Sequence, residues 1–373
     1  GITCTSQGKI YITWQEGAEF NYPEVYFSRR DSGGWTSPLN LSNTTALHSN
    51  LPNIGYLPGK KKLCLVWYEE ESQLSSVMYS RTSSDNGATW TEAEQLSSGM
   101  EGASQFPHFT VDNQGIGHLV WSEYYRDTGD PYFAIAYRRY NGSSWSDLEN
   151  ANNTPTNSGD HPSVWGQGGS NVAVLYLNNN KTSEDKADWS INTVSKSGSG
   201  WSAPMELYHA GLTPIFTRVV RTVYGETYYF FLTRGAGTGN LYYCYQESSG
   251  ASITEAKHFG SGILDKTRFS AVEGKRGDVH VFFGGPGGLF HHLFEDGGPV
   301  CKETMVTTPS QAPCAVYNSS LDQIYVSYQN TQNNEIYWTT GEEPYEGDVD
   351  PNVNRKPTAR IAMSGNEGLT PLT

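Results

Sequence analysis

Residues 8–14 read GKIYITW, a turn glycine followed by a strand-like run that ends in an aromatic residue. The same pattern recurs along the 373-residue chain, with 45 to 55 residues between one terminal aromatic and the next. The terminal aromatics are Trp14, Trp67, Trp121, Tyr176, Phe231, Phe283 and Tyr328. Self-similarity at a nearly fixed period is typical of repeat architectures.

Glycine–tryptophan hairpins follow the first four of these runs and mark a second, independent repeat. Their tryptophans are Trp35, Trp90, Trp145 and Trp201, spaced by 55 or 56 residues. Each unit therefore accommodates an inner strand, the aromatic-ending strand, a third strand and a hairpin into a fourth. This predicts an all-β fold, a seven-bladed β-propeller of four-stranded antiparallel blades over residues 1–344. The alternative, an array of β-sandwiches, needs separate cores of about 100 residues and does not explain the period.

Composition agrees with an all-β chain and excludes several classes of function. Aromatic residues make up 13% and there are 40 glycines, which suits short strands joined by tight turns. A net charge of −14 disfavours nucleic acid and anionic membranes as partners. No apolar run is long enough for a membrane span. The five cysteines lack metal-ligand spacing and are interpreted mostly as small buried hydrophobic residues.

The octet SSDNGATW at residues 83–90 lies in the predicted turn between a third and a fourth strand. It resembles the Asp-box, or BNR repeat, of the sialidase-like propeller superfamily. The matching residues are Ser83, Asp85, Gly87, Thr89 and Trp90. The resemblance implies a structural turn on the blade periphery, away from the binding face. True sialidases also carry a Phe-Arg-Ile-Pro element and have six blades. This chain lacks that element near its start, so a sialidase-type glycoside hydrolase is the less favoured reading.

The C-terminal stretch differs from the repeats. Residues 345–356 form a polar linker, and residues 357–373 resemble the truncated start of a polycystic-kidney-disease-type (PKD) domain. The resemblance rests on Asn354, Pro357, Ala359, Ile361, Gly368, Pro371 and Leu372. In that family such modules are extracellular spacers, which implies a modular, secreted or cell-surface protein. We expect no cofactor, except that DVDPN at 348–352 has calcium-loop composition and leaves calcium open.

The candidate binding site is one mouth of the central channel, where chain segments enter the inner strands and leave the second strands. Strand alternation counted from the landmark aromatics directs several inner-strand side chains there. The candidate catalytic residues are His108, His161, Tyr124 and Glu123. The candidate substrate-binding residues are Arg218, Arg268, Arg234, Phe106 and Phe216. Arginine binds carboxylates bidentately, aromatic rings stack on sugars, and His or Tyr can move protons.

This His/Tyr/Arg combination on seven blades is similar to that of ulvan-type uronate lyases. In those, a base removes the C5 proton while Arg or His neutralises the uronate carboxylate. Structural readings compete with these roles, because a His or Arg on an inner strand can be a packing partner. The glutamates of the three Trp-x-Glu segments, Glu16, Glu69 and Glu123, can equally accept hydrogen bonds within their blades. His291 and His292 are adjacent in a strand, so alternation points their rings apart and argues against a shared metal.

Two classes of function remain open from the sequence. One is a carbohydrate-active enzyme, a lyase or hydrolase acting on uronate-containing or sulfated polysaccharide at the channel mouth. The other is a non-catalytic glycan- or protein-binding propeller of a modular surface protein. In both cases we expect a monomer whose partner is carbohydrate, most simply an acidic glycan.

Overall fold

The computed structural model is a seven-bladed β-propeller built from thirty short strands. It describes residues 1–342 and 367–368, apart from 18–21, 45–46, 73–74, 98–101, 126–131, 153–157, 169–170, 180–187, 199, 211–212, 235–237 and 264–267. No helix in these described ranges is long and apolar enough to cross a bilayer. The predicted fold class and blade number are confirmed.

Consecutive strands of the chain form each blade. Blade 1 contains β1 (Ile2–Cys4), β2 (Ile10–Glu16), β3 (Glu24–Asp31), β4 (Gly34–Trp35) and β5 (Leu39–Asn40). Blade 2 contains β6 (His48–Leu57), β7 (Lys62–Ser72), β8 (Ser75–Ser83) and β9 (Glu94–Gln95), with a 3₁₀ turn at Pro58–Lys60. Blade 3 contains β10 (Ser104–Val111), β11 (Gly117–Tyr125), β12 (Tyr132–Tyr140) and β13 (Glu149–Asn150).

The remaining four blades repeat this order. Blade 4 contains β14 (Ser158–Gln167), β15 (Asn171–Asn179), β16 (Trp189–Ser197), β17 (Gly200–Trp201) and β18 (Met205–Ala210). Blade 5 contains β19 (Pro214–Arg221), β20 (Thr227–Arg234), β21 (Gly239–Gln246) and β22 (Lys257–Ile263). Blade 6 contains β23 (Phe269–Glu273), β24 (Val279–Gly285), β25 (Gly288–Glu295) and β26 (Gly298–Val306). Blade 7 contains β27 (Ser310–Asn318), β28 (Gln323–Asn330), β29 (Ile336–Glu342) and β30 (Glu367–Gly368).

The landmark aromatics all lie in second strands, as the repeat predicts. Trp67 and Trp121 are fully buried between neighbouring blades, where the apolar faces of two sheets pack together. Trp14 is only half-buried, so the three equivalent tryptophans differ in burial. The difference arises because Trp14 lines an open cavity between blades 7, 1 and 2.

The ring closes by packing of the first blade against the last. Each inner strand contacts the inner strands of both neighbouring blades, including β1 with β27. Ile2, Ile10 and Ile12 of blade 1 form one apolar cluster with Tyr325 and Trp338 of blade 7. Closure therefore rests on inter-blade burial, supplemented by a 2.9 Å hydrogen bond from the Asn318 side chain to the Thr5 carbonyl oxygen.

The fourth strand of blade 7 comes from the segment that resembles a PKD opening. Glu367 and Gly368 pair with Trp338 and Tyr337 of β29. The other residues of the predicted linker (345–356) and PKD-like segment (357–373) lie outside the described residues, as does the DVDPN run. The domain boundaries there therefore stay predictions.

The SSDNGATW turn is held together by its own side chains. Asp85 accepts hydrogen bonds from Ser83 Oγ (2.8 Å), the Thr89 amide (2.9 Å) and Thr89 Oγ1 (2.6 Å). These bonds, foremost those from Thr89, hold the pKa of the Asp85 carboxyl well below its usual range. Gly87 has φ +82°, and a Cβ there would lie 2.4 Å from the Phe27 ring of blade 1. The turn thus docks one blade against the next, in line with a structural role.

The cysteines are free thiols distributed over five strands. Cys64 and Cys244 are buried, whereas Cys4, Cys301 and Cys314 are half-buried. Burial raises the pKa of Cys4 and of Cys244 to about 12. These two thiols therefore stay protonated at neutral pH, as expected for small buried hydrophobic residues.

Candidate functional site

The inner strands enter the channel mouth through repeated β-bulges. In blades 2, 3, 4 and 7 a residue with left-handed backbone conformation precedes a proline. These residues are Leu51 (φ 51°), Phe106 (φ 55°), His161 (φ 43°) and Ala312 (φ 49°). The pairing register shifts at each of these positions. Because a bulge inserts one residue, strand alternation counted from the sequence does not continue across it.

Phe106 and His161 meet at the mouth on neighbouring blades. Their rings stack with centroids 3.7 Å apart and planes at 23°. His161 Nδ1 lies 3.0 Å from Asp160 Oδ2, and both side chains are 24% exposed. Asp160 also accepts hydrogen bonds from the His161 amide and from Ser122 Oγ. The imidazole therefore lies between the Phe106 ring and the Asp160 carboxylate, with Nδ1 buried and without a hydrogen bond, while the side chain as a whole stays partly exposed.

His108 lies after the bulge and lines the channel itself. Its Nδ1 accepts a hydrogen bond from the Val164 amide at 3.1 Å. Burial, followed by the nearby Arg218 and Arg268 guanidinium groups, lowers the pKa of His108 well below its usual value. At neutral pH the ring is therefore uncharged, and with Nδ1 occupied its proton resides on Nε2. His108 can donate a hydrogen bond to a ligand, whereas a base would need a free ring nitrogen.

Arg218 and Arg268 lie over the same aromatic ring. The Arg218 guanidinium carbon is 4.2 Å from the centroid of the Phe216 ring, and that of Arg268 is 5.5 Å away. Phe216 is 8% exposed and packs edge-on against Phe269. It therefore supports the two cations through cation–π contacts. This role differs from the expected one, in which Phe216 itself contacts a sugar.

The two guanidinium groups share a cationic environment. Burial is the main cause of a lowered pKa for both arginines, and for Arg218 the charge of Arg268 adds to it. Within the described part of the chain, no Asp or Glu oxygen lies within 4.0 Å of either guanidinium. Arg218 does donate to the Thr217 carbonyl oxygen at 2.9 Å. The nearby groups that become negative when they lose a proton are the Cys314 thiol and, for Arg268, also the Tyr68 phenol.

Glu123 is used inside its blade. It is 3% exposed and accepts hydrogen bonds from the Trp121 indole N–H and from Ser104 Oγ (2.6 Å). The equivalent glutamates make the same indole contact, Trp14 to Glu16 at 2.8 Å and Trp67 to Glu69 at 3.0 Å. The Trp-x-Glu repeat is thus a blade-internal contact. The donor in each case is the indole of the landmark tryptophan.

Tyr124 and Arg234 lie at the ends of second strands. Tyr124 is half-buried and packs against Phe133 with ring centroids 5.0 Å apart, while Arg234 is exposed. Neither lines the channel cavities described below. The structure therefore brings His108, Arg218 and Arg268 together inside the channel, and His161 with Phe106 at its rim.

Residues that the sequence reasoning missed occupy the position directly after the landmark aromatic. Tyr68 follows Trp67, and its phenol interacts electrostatically with Arg268. Burial, and then the charge of Glu70, raises the pKa of Tyr68 to about 12. Gln15 and Gln329 occupy the same position in blades 1 and 7 and line a cavity. The sequence repeat contained this information, because Gln15 and Tyr68 each directly precede a glutamate whose side chain bonds within the blade, and Gln329 occupies the equivalent position.

Two cavities make up the channel. The mouth cavity, of about 340 Å³, lies between blades 7, 1 and 2, with Arg218 and Arg268 among its lining residues. The lower channel, of about 590 Å³, extends to the ends of the inner strands. Arg218, Asn53 and Cys314 line both. Arg218 is therefore positioned where the two cavities meet, and Arg268 lines the mouth cavity.

No metal centre is formed by the described residues, since no three His, Cys, Asp or Glu side chains among them are grouped to hold an ion. His291 contacts His280 (2.9 Å between ring nitrogens), whereas His292 packs on Phe283 and Phe259. The two rings therefore point to different partners, as strand alternation predicts.

Comparison with known proteins identifies the class of fold. Neither the protein-family models nor the curated proteins contain a match to this chain. Among solved structures, a protein of unknown function from Dyadobacter fermentans is 15% identical with a TM-score of 0.59, covering 87% of this chain and 95% of its own. An ulvan lyase of polysaccharide lyase family PL25 is 11% identical with a TM-score of 0.56, covering 90% of each chain.

The NanB sialidase from Streptococcus pneumoniae is 12% identical with a TM-score of 0.52, covering 77% of this chain and 66% of its own. Similarity at these identities is similarity of fold. The chain thus has the sialidase-like β-propeller fold.

Proposed function

We propose that the protein binds an acidic polysaccharide at the channel mouth through Arg218 and Arg268. The observation that carries this proposal is the pair of guanidinium groups over Phe216, with no carboxylate of the described residues beside them. Buried like charges are unfavourable unless an opposite charge accompanies them. A carboxylate or sulfate of a sugar supplies that charge, and guanidinium groups bind such anions through two parallel hydrogen bonds.

The neighbouring groups favour a sugar over a small inorganic anion. His108 presents an N–H into the same channel, and the mouth is wide enough for a polymer residue. The ulvan lyase and the sialidase among the similar folds act on glycans, which supports the same class of ligand here. We further propose that the protein works outside the cell, as the PKD-like segment implies. A non-catalytic glycan-binding propeller is sufficient to explain the arginine pair.

A specific contact favours cleavage as a second function, that of a uronate lyase. Asp160 Oδ2 lies 3.0 Å from His161 Nδ1, which places a carboxylate beside the imidazole although Nδ1 makes no hydrogen bond, and Nε2 is the nitrogen proposed to accept a proton. In such a step His161 removes the C5 proton of a uronate whose carboxylate is neutralised by Arg218 and Arg268. The electron pair forms a C4–C5 double bond, the C4–oxygen bond breaks, and the leaving oxygen takes a proton from water. Tyr124, the acid expected from the sequence, does not line the channel cavities.

The test is a panel of uronate-containing, sulfated and sialylated polysaccharides, assayed for binding by calorimetry. Cleavage is assayed by the ultraviolet absorbance of unsaturated uronate and by new reducing ends. We expect binding of acidic polymers and, for a lyase, an unsaturated product. New reducing ends without that absorbance would indicate a hydrolase. Binding without any cleavage product would indicate a non-catalytic glycan-binding propeller. Failure of every acidic polymer to bind would overturn the proposal.

His161→Asn tests the catalytic role separately from binding. Loss of a general base lowers the rate by about 100-fold or more, while affinity is retained because the arginine pair is intact. His258→Asn is the matched control, since His258 is exposed on the outer strand of blade 5. A His161→Asn variant that cleaves at the normal rate would exclude His161 as the base.

A further inference from the structure

We propose that the mouth cavity binds an uncharged sugar residue adjacent to the acidic one, so that the ligand is a heteropolysaccharide of neutral and acidic sugars. This inference rests on the proposed binding of an acidic glycan and specifies its composition. It starts from the charge of the cavity wall. Among its described lining residues, Arg218 and Arg268 are the charged side chains, and Arg218 also lines the lower channel. The remainder of the described wall has no charged side chain. The Gly1 amino group also lines it, but this group donates to the Thr13 carbonyl oxygen at 2.8 Å and burial lowers its pKa.

The polar side chains of that wall include three amides. Gln15 and Gln329 occupy equivalent positions in adjacent blades, and Asn53 lies below them on β6. The Gln15 amide donates to Asn50 Oδ1 at 2.9 Å, and Gln329 Oε1 accepts from Gln311 at 2.6 Å. These contacts hold the amides in place, and each amide has further donor or acceptor capacity. Neutral amides suit hydroxyl and acetamido groups, which need hydrogen bonds and carry no charge.

The rest of the wall is apolar or aromatic. Trp14 is half-buried on the cavity and stacks on Tyr26 with ring centroids 5.9 Å apart. Leu51 and Ala312, the left-handed bulge residues of blades 2 and 7, contribute aliphatic surface on opposite sides. Placing an unpaired carboxylate against such a surface is costly, whereas the C–H face of a sugar gains contact. The volume of about 340 Å³ is at the lower end of small-molecule pockets and suits a single residue.

The position of the cavity sets the order of sugars. Because Arg218 lines both cavities, an acidic residue bound to it at their junction has its neighbour in the mouth cavity. His161 and Phe106 lie at the rim of blades 3 and 4, outside the cavity lining. The glycan therefore extends across the mouth, with the neutral sugar on the side of blades 7, 1 and 2.

The experiment compares two oligosaccharides of equal length by calorimetry. One is a hyaluronan oligosaccharide, which alternates glucuronate with N-acetylglucosamine, and the other is an oligogalacturonate, in which every residue is acidic. We expect the native protein to bind the alternating oligosaccharide at least about 10-fold more tightly. Equal affinity, or tighter binding of the oligogalacturonate, would overturn the inference while the proposed function stands. If neither oligosaccharide binds, the result contradicts the proposed binding of acidic polysaccharide itself.

Ala312→Phe fills the cavity with little risk to the backbone. The equivalent bulge position in blade 3 already carries Phe106 with the same left-handed conformation. We expect this variant to lose at least about 10-fold in affinity for the hyaluronan oligosaccharide and less than about 2-fold for oligogalacturonate. Ala88→Phe introduces the same change at an exposed position of the SSDNGATW turn and should alter neither affinity.

Gln15→Ala provides a second variant at an exposed side chain, so the test does not depend on one substitution folding. It should weaken binding of the alternating oligosaccharide by about 3- to 10-fold and leave oligogalacturonate unchanged. An equal effect of either variant on both oligosaccharides would contradict a subsite for an uncharged sugar.

Discussion

The two ends of the central channel differ in how their charges are balanced. At the mouth, Arg218 and Arg268 lie over Phe216 with no described carboxylate beside them. At the far end, Asp112 accepts hydrogen bonds from the Gln114 and Ile116 amides and contacts His118, whereas Glu273 has the Val223 amide as a donor and burial raises its pKa. A charged group with partners inside the protein contributes to the fold. A charged group without an opposite charge nearby is available to bind a ligand. An anionic ligand is therefore expected at the mouth and not at the far end.

The largest effect should come from removing the charge at the mouth. In Arg218→Ala/Arg268→Ala, affinity for an acidic polysaccharide should fall by about 100-fold or more, because the ligand anion loses its buried partners. The loss is measured by calorimetry at low salt, and native binding should weaken as salt is raised. Arg276→Ala, an exposed arginine near the far end, is the control. Unchanged affinity in the double variant would remove the distinction between the two ends.

The far end should respond to pH through stability. Burial raises the pKa of Glu273 to about 7, above its unfolded value of 4.5. The folded state thus binds this proton more tightly, so the stability contribution is present below about pH 4.5 and is lost as pH rises through about 7. Glu273→Gln should therefore raise the melting temperature at pH 8, with the gain shrinking toward pH 5.

Binding at the mouth should not change with the Glu273 substitution. Burial lowers the pKa of His108 well below its usual value, so it stays uncharged at neutral pH and adds no pH dependence there. If Glu273→Gln altered glycan affinity by more than about 2-fold, the far end would be part of the site. If its melting temperature followed the native curve at every pH, the buried-carboxyl account would be wrong.

The smallest effect is expected at the blade periphery. Asp85→Ala removes the hydrogen bonds from Ser83 and Thr89 and should lower the melting temperature slightly, because the turn is exposed and its amides can bond water. Glycan affinity should be unchanged. A loss of binding with a normal melting curve would show that the turn contributes to recognition.

The sequence alone determined the architecture of this protein. The landmark aromatics Trp14 to Tyr328 recur because each blade buries the same position of its second strand, and burial constrains residue type wherever sheets pack. The period therefore gave the blade number and the strand order. It also pointed to Arg218 and Arg268, since charged residues on inner strands stand out against that apolar pattern. His108 and His161 were found in the same way.

Only the tertiary structure decided how those side chains are used. The bulges at Phe106 and His161 interrupt strand alternation, so a count of residues could not say that these two rings stack together at the rim. Glu123 bonds to Trp121 within its own blade, while Tyr68, Gln15 and Gln329, one position earlier in the repeat, lie at the channel. Such contacts join blades far apart in the chain. Their geometry depends on how the ring closes, which no local pattern encodes.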